Sequence, residues 1–96
     1  MPKETFPFLR VGTGWIELEV ISQPDVLLTF KGYVPFVHVK KIRTGVEYGL
    51  YISAKSVAEP LEELRKNNDE SFEGIRMRIR KESMDRMARY EIEGLA

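Results

Sequence analysis

The alternation of apolar and polar residues over short segments is the feature that most constrains the fold of this chain. It is clearest at residues 75–80, where Ile, Met and Ile alternate with three arginines. Successive side chains of a β-strand point to opposite faces of the sheet, so this segment predicts a strand with one buried and one solvated face. Strands of this kind are typical of antiparallel sheets.

Five further segments predict strands by the same criterion. Alternation, together with β-branched and aromatic residues, predicts strands at residues 15–21, 26–31, 36–43, 47–52 and 88–93. A Thr-Gly pair at residues 44–45 predicts a β-hairpin formed by the strands on either side of it. Residues 31–33 predict a break, and Pro35 is expected near a strand start or a sheet edge.

One helix is predicted between the fourth and fifth strands. Ser56 and Glu59 have the spacing of a capping box, in which each side chain satisfies a free backbone amide at the start of the helix. A start at Ser56 would place Pro60 in the opening turn, where its missing N–H matters least. Apolar residues spaced four and three apart form one stripe along this helix: Val57, Leu61 and Leu64. Two asparagines at 67–68 are expected to end the helix.

The element order β-β-β-β-α-β-β predicts an α+β fold. We expect a mostly antiparallel sheet of about five or six strands with one helix packed on one face. Of the 96 residues, 28 are Leu, Ile, Val or Phe, so residues 1–96 are expected to form a single folded domain. Residues 1–7 carry two prolines and are expected to form a loose N-terminal arm.

The composition excludes several classes of site. There is no cysteine, which excludes disulfides, thiolate zinc sites and cysteine nucleophiles. The single histidine, His38, disfavours a histidine metal site, and we expect no metal and no other cofactor. No apolar run approaches the roughly 18 residues of a membrane span, and the N-terminus lacks the apolar core of a signal peptide, so we expect a cytoplasmic protein. A charged fraction of 31% with three Asn and Gln residues is a thermophile-like bias.

Charge is distributed unevenly along the chain. There are 15 basic and 15 acidic residues, and a net charge of zero disfavours a generic polyanion binder. However, residues 40–55 sum to +3 and residues 74–89 to +4, whereas residues 56–73, which contain the predicted helix, sum to −4. If the helix covers one sheet face, the opposite face is expected to be basic. The alternative is ordinary charge mixing.

The strongest functional signal is a stripe of three arginines on one predicted strand face. Its members are Arg76, Arg78 and Arg80. Alternate residues of a strand lie about 6.6–6.8 Å apart, which is close to the phosphate repeat of an extended single strand, and arginine can bind phosphate through two parallel hydrogen bonds. The alternative is pairing with acids on neighbouring strands. The candidate acids are Glu47, Glu91 and Glu93.

Aromatic residues also fall on the polar faces of the predicted strands. Trp15, Phe36 and Tyr51 lie opposite the clearest apolar stripes. Exposed rings beside arginines are typical of proteins that bind single-stranded nucleic acid, because rings stack on bases while cations hold the backbone. The alternative is that these rings fill a dimer interface or a second small core.

The sequence disfavours an enzyme. His38 has no obvious serine or acidic partner, and the glutamates at 62–63 and at 91 and 93 match no metal-binding loop. Gly12-Thr13-Gly14 is far short of a phosphate-binding glycine loop.

Residues 34–93 resemble a known family in element order and in their basic strand. Four segments carry the likeness: a hairpin ending in Tyr-Ile-Ser-Ala-Lys-Ser at 51–56, a short helix at 57–66, the basic strand at 74–81, and Ala-Arg-Tyr-Glu-Ile at 88–92. Together they resemble the archaeal single-stranded-DNA-binding proteins of the ThermoDBP type and their relatives. The resemblance implies a sheet with a packed helix, a basic and aromatic cleft, and sequence-independent binding of single strands. Some relatives carry a C-terminal zipper for assembly, whereas residues up to Ala96 show no heptads.

By position, the resemblance implies phosphate contacts and base-stacking rings in this chain. The matching residues are Arg76, Arg78, Arg80 and Arg89, with Tyr51 and Phe36 as stackers. The basic segment at 40–55 adds Lys40 and Arg43, and the polar-face aromatics add Trp15.

The sequence therefore predicts a non-catalytic domain that binds single-stranded DNA or RNA, and a homodimer or higher homo-oligomer. The alternative is a small β-rich protein-interaction or assembly module that binds no nucleic acid. A small enzyme or nuclease is a third hypothesis; its signature would be activity that depends on a divalent metal, and no residue cluster in the sequence predicts one.

Overall fold

The alternating segments form one antiparallel sheet, and the predicted α+β class and element order are confirmed. The computed structural model of the protein describes residues 7–30 and 32–95. Within these residues there are six strands and one helix. The elements are β1 (Ile16–Val20), β2 (Asp25–Thr29), β3 (Gly32–Lys41), β4 (Glu47–Tyr51), α1 (Lys55–Lys66), β5 (Arg76–Lys81) and β6 (Tyr90–Gly94).

The strands β1 and β2 lie end to end along one edge of β3. Val20 pairs with Val39, and Asp25 pairs with Phe36 further along the same strand. The other edge of β3 pairs with β4, while β1 continues the sheet to β5 and then β6. The pair β1 and β2 therefore behaves as a single interrupted strand, and the backbone N–H of His38 donates to Ser22 Oγ (3.0 Å) beside the interruption.

The resulting pairing order is that of an OB-fold. With β1 and β2 counted as one strand, five strands pair in the order third, second, first, fourth, fifth, and α1 lies between the third and fourth in the chain. An OB-fold is a five-stranded, partly open Greek-key barrel. Among the described residues no ladder joins β4 to β6, so the sheet stays open at that point.

The core lies on the face of the sheet that α1 covers. Alternate residues of β1, β3 and β5 are fully buried and contact two residues of the helix stripe, as the sequence predicts. The buried side chains in the described residues are Leu18, Val20, Val37, Val39, Leu50, Val57, Leu61, Ile75, Met77 and Ile79. At the edge of this core Gly94 lets the helix approach β6, because a Cβ there would lie 2.7 Å from Leu64 Cδ2.

The start of β3 differs from the prediction. A break was expected at residues 31–33, but Gly32 and Tyr33 belong to β3, and Lys31 lies outside the described residues. Gly32 has a φ of +106°, which glycine adopts without steric cost, and it pairs with Thr29 across a tight turn. Pro35 lies beyond the end of β4, which agrees with the expected edge position.

The predicted capping box is wrong. The helix begins at Lys55, and its N-cap residue Ala54 makes no side-chain capping hydrogen bond. Ser56 Oγ instead accepts a hydrogen bond from the backbone N–H of Tyr90 (3.0 Å), so it joins the helix to the start of β6. Pro60 is consequently the sixth helical residue, not part of the opening turn.

The predicted N-terminal arm falls largely on residues 1–6, which lie outside the described residues. Pro7 itself is held against the sheet, because its carbonyl accepts a hydrogen bond from Gly49 N–H (3.0 Å). The N–H of Leu9 donates to the Gly49 carbonyl (2.9 Å), which forms a short parallel bridge at the free edge of β4.

We expect Ser56→Ala to lower the free energy of unfolding by about 1 kcal/mol, because it leaves a partly buried N–H without an acceptor. Glu59→Gln should change it by less than about 0.5 kcal/mol, as for most surface substitutions. Urea unfolding followed by Trp15 fluorescence measures both. Equal losses in the two variants would instead support the capping box.

Candidate functional site

The face of the sheet opposite the core, called here the outer face, carries rows of opposite charges. Glu19 lies between Lys40 on β3 and Arg76 on β5. Arg78 lies between Glu17 and Glu93 in the next row. Acidic and basic residues therefore alternate across the strands, and the outer face is mixed in charge instead of basic.

Each arginine of the stripe has an acidic neighbour. Arg78 Nε donates to Glu93 Oε1 (2.9 Å), and Arg80 Nε donates to Glu91 Oε1 (2.6 Å). The third contact, between Arg76 Nε and Glu19 Oε1, is longer (3.7 Å). Of the three acids proposed from the sequence, Glu91 and Glu93 are partners of the stripe, whereas Glu47 lies opposite Lys40.

These ion pairs are open to solvent. The arginine side chains are 37–54% exposed. Exposed pairs contribute about 0–1 kcal/mol each, because water competes for both charges. A phosphate could therefore replace a glutamate at little cost in stability, although the glutamates compete with it for the same guanidinium groups.

Trp15 lies against the stripe. The guanidinium carbons of Arg78 and Arg80 lie 4.2 and 4.5 Å from its ring centroid, which is cation–π geometry. The ring is half-buried. Trp15 therefore holds the two arginines in place, and their side chains occupy ring surface on which a base would stack.

A groove of about 790 Å³ opens beside Trp15. Its lining includes two predicted cations, Arg43 and Arg78, as well as Lys41 and Glu17. Lys40 is not part of the lining and belongs to the outer face further along β3. Arg89 lines a separate shallow depression formed by the loop between β5 and β6. The predicted basic residues therefore lie in three separate places, which are the groove, the outer face and the loop between β5 and β6, instead of lining one cleft.

Three aromatic rings and one imidazole cluster on the outer face of β3 and β4. Phe36 and Tyr51 are opposed in register. The ring of Phe8 stacks on that of Tyr51, with centroids 4.2 Å apart and planes 11° apart, and meets Phe36 edge-on at 5.7 Å. His38 lies 5.4 Å from Phe36. We call Phe8, Phe36, His38 and Tyr51 the aromatic platform; the Tyr51 residue is 40% exposed.

Sequence reasoning missed Phe8, although a signal for it existed in β4. Gly49 leaves a gap on a face of β4 that otherwise carries side chains. A glycine inside a strand often marks a place where another group approaches the backbone closely. A Cβ at Gly49 would lie 2.7 Å from Phe8 Cε2. The ring therefore occupies the space that a side chain at position 49 would take.

An ion pair on α1 lies on the other side of the sheet. Arg65 donates from Nε to Glu62 Oε1 (2.9 Å), and this hydrogen bond is the main cause that lowers the pKa of the Glu62 carboxyl and raises the pKa of Arg65. The pair belongs to the acidic helix and takes no part in the outer face.

Searches for other kinds of site and for relatives gave no match. Over residues 7–30 and 32–95, no group of three or more His, Cys, Asp or Glu residues could hold a metal ion, and no helix has the length and apolarity to cross a membrane. No family model, curated protein or solved structure matches the chain.

We expect Gly49→Ala to destabilise the protein by about 1 kcal/mol, because the new methyl group displaces the Phe8 ring. In a Phe8→Ala background the same substitution should be neutral or stabilising, since the obstacle is gone and alanine restricts the unfolded chain. Gly12→Ala is the matched control, because a Cβ there meets nothing within 4 Å. Equal effects of Gly49→Ala in both backgrounds would contradict the close packing of Phe8 on Gly49.

Proposed function

We propose that the protein is a non-catalytic binder of single-stranded nucleic acid that stacks bases on the aromatic platform. The observation that carries this proposal is the pair of opposed rings, Phe36 and Tyr51, on the solvent side of β3 and β4. Phe8 stacks on one face of the Tyr51 ring, and the Tyr51 residue is still 40% exposed. Aromatic rings on a sheet face provide stacking surfaces for bases of any sequence. Lys40, on the same face of β3 two residues beyond His38, supplies a cation beside the rings.

The pairing order of the strands supports this placement. OB-folds bind oligonucleotides on the face of their second and third strands and with the adjoining loops. In this chain the corresponding strands are β3 and β4, which carry Phe36 and Tyr51. Because a fold alone does not determine function, the rings and the charges carry the proposal and the topology adds support.

The arginine stripe would assist nucleic-acid binding by exchanging its glutamate partners for backbone phosphates. A backbone phosphate would replace Glu93 or Glu91 at the guanidinium groups of Arg78 and Arg80, whose ion pairs are exposed. Since the glutamates remain nearby and repel the phosphate, binding should be modest and strongly weakened by salt. The stripe thus tunes affinity, whereas the rings provide the contact with bases.

The second candidate is a protein-interaction module that binds no nucleic acid. It is favoured by the same ion pairs, because a stripe whose charges are already balanced has less need of a phosphate. Oligonucleotide titration separates the two candidates, because the module would show no binding even at low salt.

We expect a fluorescent oligothymidylate to bind at low ionic strength and to dissociate as salt is raised, in an anisotropy titration. Tyr51→Ala should weaken binding about 5- to 150-fold, which corresponds to the roughly 1–3 kcal/mol of one base–ring stack. Tyr51→Phe is the matched control and should retain most of the affinity, because the ring remains. Absence of binding by the unmodified protein at low salt would overturn the proposal.

The role of the stripe is tested by removing the competing carboxylates. The double variant Glu91→Gln/Glu93→Gln should tighten oligonucleotide binding several-fold, because Arg78 and Arg80 become available to phosphate. The double variant Glu59→Gln/Glu63→Gln makes the same change in net charge on exposed positions of α1. Equal tightening in both would show that the stripe makes no direct phosphate contact.

A further inference from the structure

The hairpin formed by β2 and the first half of β3 exposes a set of large apolar side chains. Phe30 at its tip is 98% exposed, Tyr33 73% and Leu28 64%. Val26 and Leu27 are exposed as well. A two-stranded ribbon is at most marginally stable in water without a further strand or packed element, so this hairpin gains from being covered.

The outward edge of β2 has no strand partner among the described residues. In the described residues β2 is the last strand of its sheet path and pairs with β3 alone. Val26 lies opposite Pro35, which has no N–H, so Val26 and Leu28 occupy the positions whose backbone groups point away from β3. The N–H of Val26 donates to Asp25 Oδ1 of the same strand (2.8 Å), so pairing with a second strand exchanges this local, exposed hydrogen bond for one across the new ladder.

This edge lacks the usual protection against strand pairing. Natural edge strands carry lysine, proline or a bulge that discourages a second chain from adding to the sheet. The sequence of β2 is Asp-Val-Leu-Leu-Thr, with its one charge at the first position. Its central residues, Val26, Leu27 and Leu28, are therefore exposed, apolar and uncharged.

The charge of this hairpin limits the kind of partner that can cover it. Residues 25–36 contain one acidic and one basic residue, Asp25 and Lys31, and have no net charge. A nucleic acid or an anionic membrane would require a cationic surface. A second copy of this chain fits this surface instead, because the hairpins of both copies are apolar and carry no net charge.

The edge is also complementary to itself. An antiparallel pairing with its two-fold axis at Leu27 places Val26 opposite Leu28 of the second copy, and all four outward-pointing residues then pair with one another. The same register places Asp25 opposite Thr29 of the second copy, so no like charges face each other. Val26, Leu27 and Leu28 are 56%, 37% and 64% exposed in the single chain, and these three residues of each copy would lie at the seam.

We propose that the protein is a homodimer in which the β2 strands of two copies pair in antiparallel fashion about Leu27. The two sheets become one continuous sheet, and the exposed apolar side chains of the two β2 strands pack beside one another across the seam. This inference rests on the hairpin alone and stands whether or not the aromatic platform binds nucleic acid.

Cross-linking through a single introduced thiol tests the register. The chain has no cysteine, so Leu27→Cys creates the one thiol present. In the proposed register the two residues at position 27 face each other in a non-hydrogen-bonded pair, with Cα atoms about 4.5 Å apart, which is within disulfide reach. We expect rapid conversion to a disulfide dimer on mild oxidation. Met87→Cys, at an exposed position in another loop, is the control and should remain mostly uncross-linked.

Sedimentation equilibrium of the unmodified chain tests the assembly itself. At tens of micromolar we expect twice the mass of one chain. Leu28→Lys should reduce this to the mass of one chain with an unchanged circular dichroism spectrum, because lysine protects an edge strand. Met84→Lys, an equally drastic change at another exposed position, should leave the dimer intact. A monomeric unmodified protein at hundreds of micromolar, or cross-linking of Leu27→Cys no faster than Met87→Cys, would overturn the proposal.

Discussion

Burial of alternate residues on β1 and β5 determines what the outer face can present. Leu18 pairs with Met77, and Ile16 pairs with Ile79, on the face that α1 covers. Because side chains alternate along a strand, this register forces Glu17 opposite Arg78 on the other face. A slip of one residue would send the arginines into the core, so hydrophobic packing holds the charges in their positions.

Period-two alternation explains why so much of the fold could be predicted from the sequence. It correctly assigned Met77 and Ile79 to the core and the arginine stripe to the opposite face. Partners across strands were harder to predict, because they depend on strand order and register as well as on alternation. Thus the contact of Glu19 with Arg76 follows from the register of β1 on β5, which alternation alone does not predict.

The helix-cap prediction from local sequence was wrong because a long-range contact uses the same side-chain atoms. Ser56 has the type and spacing of a helix cap, but its hydroxyl accepts a hydrogen bond from Tyr90, which lies 34 residues away in the chain. Phe8 was missed for a related reason, since its position depends on a glycine in a distant strand. Both cases involve long-range pairing, which a window of ten or fifteen residues does not contain.

The position of β1 in the sheet has a consequence for the order of folding. Its partner β5 follows about sixty residues later in the chain, whereas β2, β3 and β4 form two consecutive hairpins with short connections. Closing a long loop costs more entropy than closing a hairpin, so the hairpins can form while β1 still lacks a neighbour on one side. Within this sheet β1 therefore comes first along the chain and is among the last strands to complete its pairing.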